Sequence, residues 1–242
     1  SRGLGDVYKR QYLECYDAGR IEDVVIRQKH TWKERPNMGE LSQQEYIEAV
    51  EKSDTVSLSV EVMPEHDEDL ENTKVVVTLK DPNGVQLEQV VLPTIKEAVC
   101  AEIPVANPML WWCNGLGGQP LYQVQVSLVD NNQCVLDSKE YSIGLRELTV
   151  STKKDEWGNE FAFVINGIHI FSMGADYIPE DCIYPWITKE RIEALIRSSA
   201  KANYNMLRVW GGGYYPSDTF YDLCDQYGFC LLYTSPSPRD RG

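Results

Sequence analysis

Residues 205–210 (NMLRVW) place an arginine inside an otherwise strand-like, apolar run. Strand alternation sets Met206, Arg208 and Trp210 on one face and Leu207 and Val209 on the other. In a parallel sheet flanked by helices the apolar pair meets the helices. Arg208 then falls on the opposite face, near the carboxyl end of its strand, where the catalytic groups of a (β/α)8 barrel gather. A guanidinium in such a place is costly unless it meets an anion. Arg208 therefore predicts a carboxylate partner, either a reacting group or an unrelated Asp or Glu in a structural ion pair. A second stretch, 174–181 (GADYIPED), brings Asp176 and Tyr177 side by side in what reads as a loop after the first barrel strand. The competing reading is a loop approaching a helix with its acids in water.

The other chemistry-bearing residues favour plainer roles. Gly211-Gly212-Gly213 lacks the lysine and spacing of a phosphate-binding loop, and a tight strand-to-helix turn explains it better. His30, His66 and His169 are scattered, with no metal-ligand spacing and no nucleophile partner in a motif. Trp111-Trp112 suits either a sugar-stacking platform or core aromatics, and inside a β-rich segment the core reading is preferred. No cofactor and no metal is implied.

These groups need a scaffold, and the chain changes grammar near residue 150. Before it, 21–30, 55–63, 74–80, 85–92, 121–129 and 134–143 read as short strands. Asp81-Pro82-Asn83-Gly84 and Asp130-Asn131-Asn132-Gln133 make hairpin turns between them. Residues 31–53 read as a surface loop with a helical turn near 43–52. Short strands at this spacing imply a β-sandwich, of a length that suits an immunoglobulin-like one. After 150, one further hairpin (161–165, Asn166-Gly167, 168–171) leads into alternating helices and strands. Thr188 caps a helix whose apolar stripe is Ile192, Leu195, Ile196 and Ala200, with Ile187 placed for a hydrophobic staple and Asn203 at the left-handed end. A second helix is capped by Ser217 and stopped by Gly228. The implied fold class is multidomain β plus α/β: an immunoglobulin-like β-sandwich followed by the first βα units of a (β/α)8 barrel.

The chain has 242 residues and a formal net charge of -14. That sign argues against nucleic acid as a partner, because neutralising phosphates takes clustered Lys and Arg. No apolar run approaches the roughly 18 residues of a membrane span, so no membrane partner is expected. The cysteines form no C-x-x-C pair or tight framework, and there is no N-x-S/T sequon; both lean towards a reducing compartment. The acidic run 65–71 reads as a solvated loop.

Taken together, the motifs resemble glycoside hydrolase family 2, and its β-mannosidase branch in particular. Asn166-Gly167 through Gly174-Ala175-Asp176-Tyr177-Ile178-Pro179-Glu180-Asp181 is similar to the family's N-G…G-A-N-W-I-P-x-D. Asn205 through Gly228 is similar to N-M-x-R-x-W-G-G-G-x-Y-E…F-Y-D-x-C-D-x-x-G, in which R-x-W-G-G-G is specific to the mannosidases. Upstream, Leu110-Trp111-Trp112-Cys113-Asn114-Gly115 and Ile143-Gly144-Leu145-Arg146 are similar to the end of the family's immunoglobulin-like domain. Departures are Asp176 for Asn, Tyr177 for Trp and Pro216 for Glu; the last removes an acid near the site.

The resemblance implies a retaining exo-glycosidase acting on a mannose-terminated oligosaccharide, with two Glu residues as acid/base and nucleophile. Those come from later barrel strands, so no catalytic residue is expected in this chain. The site-positioning or substrate-binding residues it implies are Arg208, holding the nucleophile's carboxylate, Trp210, walling the sugar pocket, and Asp176 and Tyr177 as rim contacts. Oligomeric state is not implied. The alternatives are another family 2 glycosidase (β-galactosidase, β-glucuronidase or an endo-β-mannosidase), or a carbohydrate-binding module made of the sandwich alone.

The ends read differently. Residues 1–11 and 230–240 can be encoded by opposite strands of one DNA, which resembles a transposon-end sequencing adaptor translated at both ends. The expected division is 1–11 translated adaptor, 12–20 the tail of a sugar-binding sandwich, 21–150 the immunoglobulin-like domain, 151–229 the start of the barrel, and 230–242 adaptor. A third parallel strand is expected to begin where that adaptor starts, and 1–11 and 235–242 are expected to lack fixed structure.

Overall fold

The computed structural model describes residues 15–16, 18–66, 73–94, 98–212 and 215–233. The expectations for 1–11 and 235–242, and most of the acidic run 65–71, lie outside the described residues. The chain divides into two units, one holding 14–110 with 120–147, the other 111–119 with the residues from 148 onward.

Among the described residues, the first unit is a sandwich of seven strands. β1 (Gly19–Trp32), β2 (Asp54–His66) and β5 (Val99–Ala106) form one antiparallel sheet in the order β1-β2-β5. β3 (Lys74–Lys80), β4 (Gln86–Pro93), β6 (Tyr122–Val129) and β7 (Val135–Ile143) form the other in the order β4-β3-β6-β7. Alternation buries one face of each strand: Val56, Leu58, Val60 and Val62 on β2, Val75, Val77 and Leu79 on β3, and Val124, Val126 and Leu128 on β6. The hairpin turns form as their residue types require. Asp81 Oδ1 accepts the backbone N–H of Asn83 and Val85, and Gly84 takes φ 84°. Asp130 repeats the arrangement with the N–H groups of Asn132 and Cys134.

Two elements differ from the sequence reading. β5 carries Pro104, which weakens the strand signal, yet its alternation is strict and the proline sits on an edge strand, where no ladder donor is missed. The stretch 43–52 extends into a full helix, α1 (Gln43–Ser53), because Ser42 and Glu45 make a reciprocal capping box and Tyr46 and Val50 supply a buried stripe.

The second unit begins with a small antiparallel sheet of β8 (Leu148–Ser151), β9 (Ala162–Ile165) and β10 (Ile168–Ile170). The β9–β10 turn uses Asn166 and Gly167, both at positive φ. A parallel sheet follows, of β11 (Gly174–Tyr177), β12 (Met206–Val209) and β13 (Cys230–Tyr233), with α2 (Lys189–Lys201) and α3 (Asp218–Tyr227) as the crossovers. Thr188 Oγ1 accepts the Arg191 N–H, Asn203 closes α2 at φ 62°, and Gly228 closes α3 at φ 79°. Ser217 precedes α3, but its side chain makes no capping hydrogen bond.

The second unit corrects the sequence reading in two places. Residues 174–177 are not a loop: they are the first parallel strand, paired residue for residue with β12. The 161–171 hairpin belongs instead to the separate antiparallel sheet. Residues 230–233, set outside the fold above, pair parallel with β12 as the third strand; their sequence, CLLY, is apolar enough to join a sheet.

Candidate functional site

β11 and β12 run in register, so Asp176 lies directly beside Arg208. Arg208 Nη1 donates to Asp176 Oδ1 at 2.9 Å and Oδ2 at 3.1 Å. The side chains of Arg208 and Asp176 are 45% and 47% exposed. Leu207 and Val209 point the other way, into a core of Ile192, Ile196, Phe220 and Leu223 contributed by both helices. The carboxylate that Arg208 predicted is thus supplied by the neighbouring strand.

A residue to which the sequence reading gave no role sets this register. Asn205, buried at the start of β12, accepts the Met173 N–H through Oδ1 and donates Nδ2 to the Phe171 carbonyl. Its own N–H reaches Met173 O, and its carbonyl accepts the Cys230 N–H. One side chain and its peptide groups therefore hold the beginnings of three strands. Gly174 completes the fit, since a Cβ there would lie 1.7 Å from Met206 O. An asparagine heading an apolar run was the available signal, but only neighbouring strands give it partners.

Trp210 follows on the Arg208 side. Its backbone N–H donates to Tyr177 O, and the residue is 44% exposed. Gly212 lies against that ring: a Cβ would sit 2.3 Å from Trp210 Cζ2. Space for an aromatic plane is the structural reason for glycine at 212, in keeping with a tight turn.

Tyr177 requires correction. Its side chain is only 6% exposed, its ring centroid is 4.2 Å from that of Phe220, and its hydroxyl donates to Glu180 Oε1. Burial first, and then the Glu180 carboxylate, push the phenol well above its ordinary value. Alternation along β11 makes this unavoidable: with Asp176 on the open face, Tyr177 must turn to the helices. It is a core residue, not a rim contact. Asp181 is likewise structural. Arg191 donates to Asp181 Oδ2, Trp186 O and Glu180 O, which ties the β11–α2 loop to the first turn of α2. A crevice of about 230 Å³ opens beside Tyr177 and Ser217 on this helix side, and its lining includes neither Asp176 nor Arg208.

Trp111 and Trp112 are fully buried, as a core role requires, and no sugar can stack on them. The core they serve differs from the one expected, since 111–119 belongs with the α/β unit. Trp111 Nε1 donates to Asp225 O on α3, and Asn114 Nδ2 donates to the Ala200 and Tyr204 carbonyls at the end of α2. The Asn114 N–H reaches Gly228 O. His30 is engaged inside the sandwich, its Nδ1 lying 2.6 Å from Asp54 Oδ2. Among the described residues, no three His, Cys, Asp or Glu side chains converge as a metal site.

The proteins that this chain, with its sandwich and its parallel α/β unit, is similar to are glycoside hydrolases. Residues 43–146 match the model for Glycosyl hydrolases family 2. Beta-mannosidase B of Aspergillus flavus is 39% identical over 136 residues, 56% of this chain and 16% of its own length. That of Emericella nidulans is 42% identical over 125 residues, 51% of this chain and 15% of its own. The beta-D-mannosidase of Dictyoglomus thermophilum superposes with a TM-score of 0.70 at 29% identity, over 91% of this chain and 25% of that one. A beta-glucuronidase of Parabacteroides merdae shares the fold with a TM-score of 0.66 at 18% identity, over 88% of this chain and 24% of that one. The chain is therefore similar to Glycosyl hydrolases family 2 over residues 43–146. It spans about one-sixth of the length of the curated relatives it matches.

Proposed function

We propose that this chain is part of a retaining exo-β-mannosidase, the enzyme class that releases terminal β-linked mannose from non-reducing ends. The carrying observation is the Asp176–Arg208 pair at neighbouring positions of two parallel strands, with Trp210 exposed just beyond. In this reading β11, β12 and β13 open a (β/α)8 barrel, the pair stands at its active end, and residues 21–150 are its immunoglobulin-like domain. The curated relatives named beta-mannosidase support the substrate class.

The reaction takes two carboxylic acids roughly 5–5.5 Å apart, one protonating the leaving oxygen and one attacking the anomeric carbon. Family resemblance assigns both to later strands, outside this chain. Arg208 orients and stabilises the attacking carboxylate through charge-assisted hydrogen bonds, Asp176 holds the guanidinium in place, and Trp210 walls the mannose. The chain by itself is inactive, because groups that act as a unit are not replaced by the residues that position them.

The test compares hydrolysis of 4-nitrophenyl β-mannoside by this chain and by the longer protein that contains it. No turnover by the chain and clear turnover by the longer protein are expected. Arg208→Ala in that protein is expected to lower kcat/KM by about a hundredfold or more. Near-normal kcat/KM would return Arg208 to a structural ion pair. Preferential turnover of a β-galactoside or β-glucuronide would replace the mannosidase reading with another member of the family.

A further inference from the structure

We propose that Asn83 is a site of spontaneous covalent modification, losing ammonia to become a mixture of aspartate and isoaspartate. An asparagine followed by glycine is the reactive dipeptide, because no Cβ on the glycine keeps its backbone nitrogen from the side-chain amide. The sequence holds three such pairs, Asn83-Gly84, Asn114-Gly115 and Asn166-Gly167. Their glycines take φ of 84°, 87° and 87°, so the turns alone do not separate them. The surroundings of the three side chains do.

In the reaction the Gly84 N–H proton passes to hydroxide, and the nitrogen forms a bond to Asn83 Cγ. The Cγ–Nδ2 bond breaks, and Nδ2 takes a proton from water and leaves as ammonia, closing a five-membered succinimide. Water then opens the ring at either carbonyl. Opening at Cγ leaves an ordinary aspartate; opening at the backbone carbonyl carbon leaves isoaspartate, whose main chain runs through the former side chain. Only water is consumed. The fold must let the side-chain amide swing onto the next nitrogen and let water reach it.

Asn166 permits neither. It is 0% exposed, and its Nδ2 donates to Trp111 O at 3.0 Å. Asn114 Nδ2 donates to two carbonyls, Ala200 O at 3.1 Å and Tyr204 O at 2.8 Å. Freeing either amide unties the 111–119 segment from its own unit, so both wait for extensive opening. Asn83 is exposed at the tip of the β3–β4 hairpin, and its Nδ2 reaches Asp81 Oδ2 at 3.4 Å, a weak bond. The brake on it is the turn: the Gly84 N–H donates to Asp81 O at 2.9 Å, and the Asn83 and Val85 N–H groups donate to Asp81 Oδ1. Those bonds close one hairpin end, where local opening costs far less than unfolding. The product sets a new carboxylate beside that of Asp81, and isoaspartate lengthens the turn by one backbone carbon. Both loosen the bond from the Asp81 N–H to Val85 O that closes the hairpin.

The test uses the unaltered chain, aged at mildly alkaline pH in buffer and, in parallel, in concentrated urea. Proteolytic peptides are followed by mass spectrometry for a gain of about 1 Da, and chromatography separates the aspartate and isoaspartate forms. In buffer, Asn83 is expected to convert at least about tenfold faster than Asn114 or Asn166, with isoaspartate among its products. In urea the three are expected to convert at similar rates, since the dipeptide is the same. Equal rates at the three sites in buffer overturn the proposal, as does an Asn83 that converts in urea and not in buffer. A lead for Asn83 that persists undiminished in urea also overturns it, by placing the cause in neighbouring sequence and not in the fold.

Discussion

Gly228 shows how one residue can carry two independent requirements. Its φ of 79° is the left-handed turn that ends α3, and a Cβ there would lie 2.5 Å from the Asn114 backbone nitrogen. Relaxing the backbone to admit a side chain would also pull away the Gly228 carbonyl that receives the Asn114 N–H. Gly228→Ala is expected to lower stability by about 2 kcal/mol or more, beyond the usual cost of a left-handed alanine. Urea unfolding followed by circular dichroism measures it. A loss no larger than that of a Gly→Ala change at Gly84, where the turn is left-handed but the space is open, would show that the close approach costs nothing. The same scale explains why Asp176 and Tyr177, adjacent in sequence and alike in suggesting a ligand, part company. One alternation step sends the first to the open face and the second against Phe220.

Among the elements, α1 is one whose local chemistry sets a pH response. Ser42 Oγ caps the Glu45 N–H, and the Glu45 carboxylate accepts from both the Ser42 hydroxyl and the Ser42 backbone N–H. Those bonds hold Glu45 below its ordinary value of 4.5. A carboxyl with a depressed folded value contributes stability that is fully present above the unfolded value and is lost as pH falls through the folded one. Glu45→Gln is therefore expected to be less stable than the wild type at neutral pH, with the gap closing as the solution is acidified below 4.5. Parallel acid titrations of the two proteins, read at the helix band of the circular dichroism spectrum, check it. A gap that widens on acidification would mean the bonds favour the protonated acid. α2 adds a tertiary partner to its local cap: the carbonyls at its end accept from Asn114 Nδ2, which lies far away in sequence.

At the scale of the molecule, the division between the sandwich and the α/β unit falls at Glu147/Leu148, near the change of grammar, but a second exchange lies upstream of it. Residues 111–119 are flanked on both sides by sandwich strands yet belong with the α/β unit. A carbohydrate-binding module made of the sandwich alone would therefore carry two tryptophans with no core to enter. Ending the chain at Glu147 removes Asp225, the acceptor of the Trp111 indole, and Ala200 and Tyr204, the acceptors of Asn114. The truncated chain is expected to show a red-shifted tryptophan emission and a smaller cooperative unfolding transition than the full chain. Unshifted emission would mean that the segment finds an equally dry site within the sandwich.

What the sequence determined by itself lies within about ten residues of each signal. Asp81 and Gly84 specify a hairpin, Thr188 and Gly228 specify helix ends, and alternation along 205–210 assigns Arg208 to the face away from the helices, because φ, ψ and side-chain direction are local properties. The demand for a carboxylate beside Arg208 was legible too, since a charge on that face needs a counter-charge. Which carboxylate was not. Asp176 is 32 positions away and becomes the partner only through the register of β11 against β12, which Asn205 and Gly174 hold. The Trp111 indole and its acceptor are 114 positions apart, and nothing local distinguishes a tryptophan bound for one core from one bound for another. Burial is decided by which surfaces close over a side chain, and that is a property of packed elements, not of the segment that carries it.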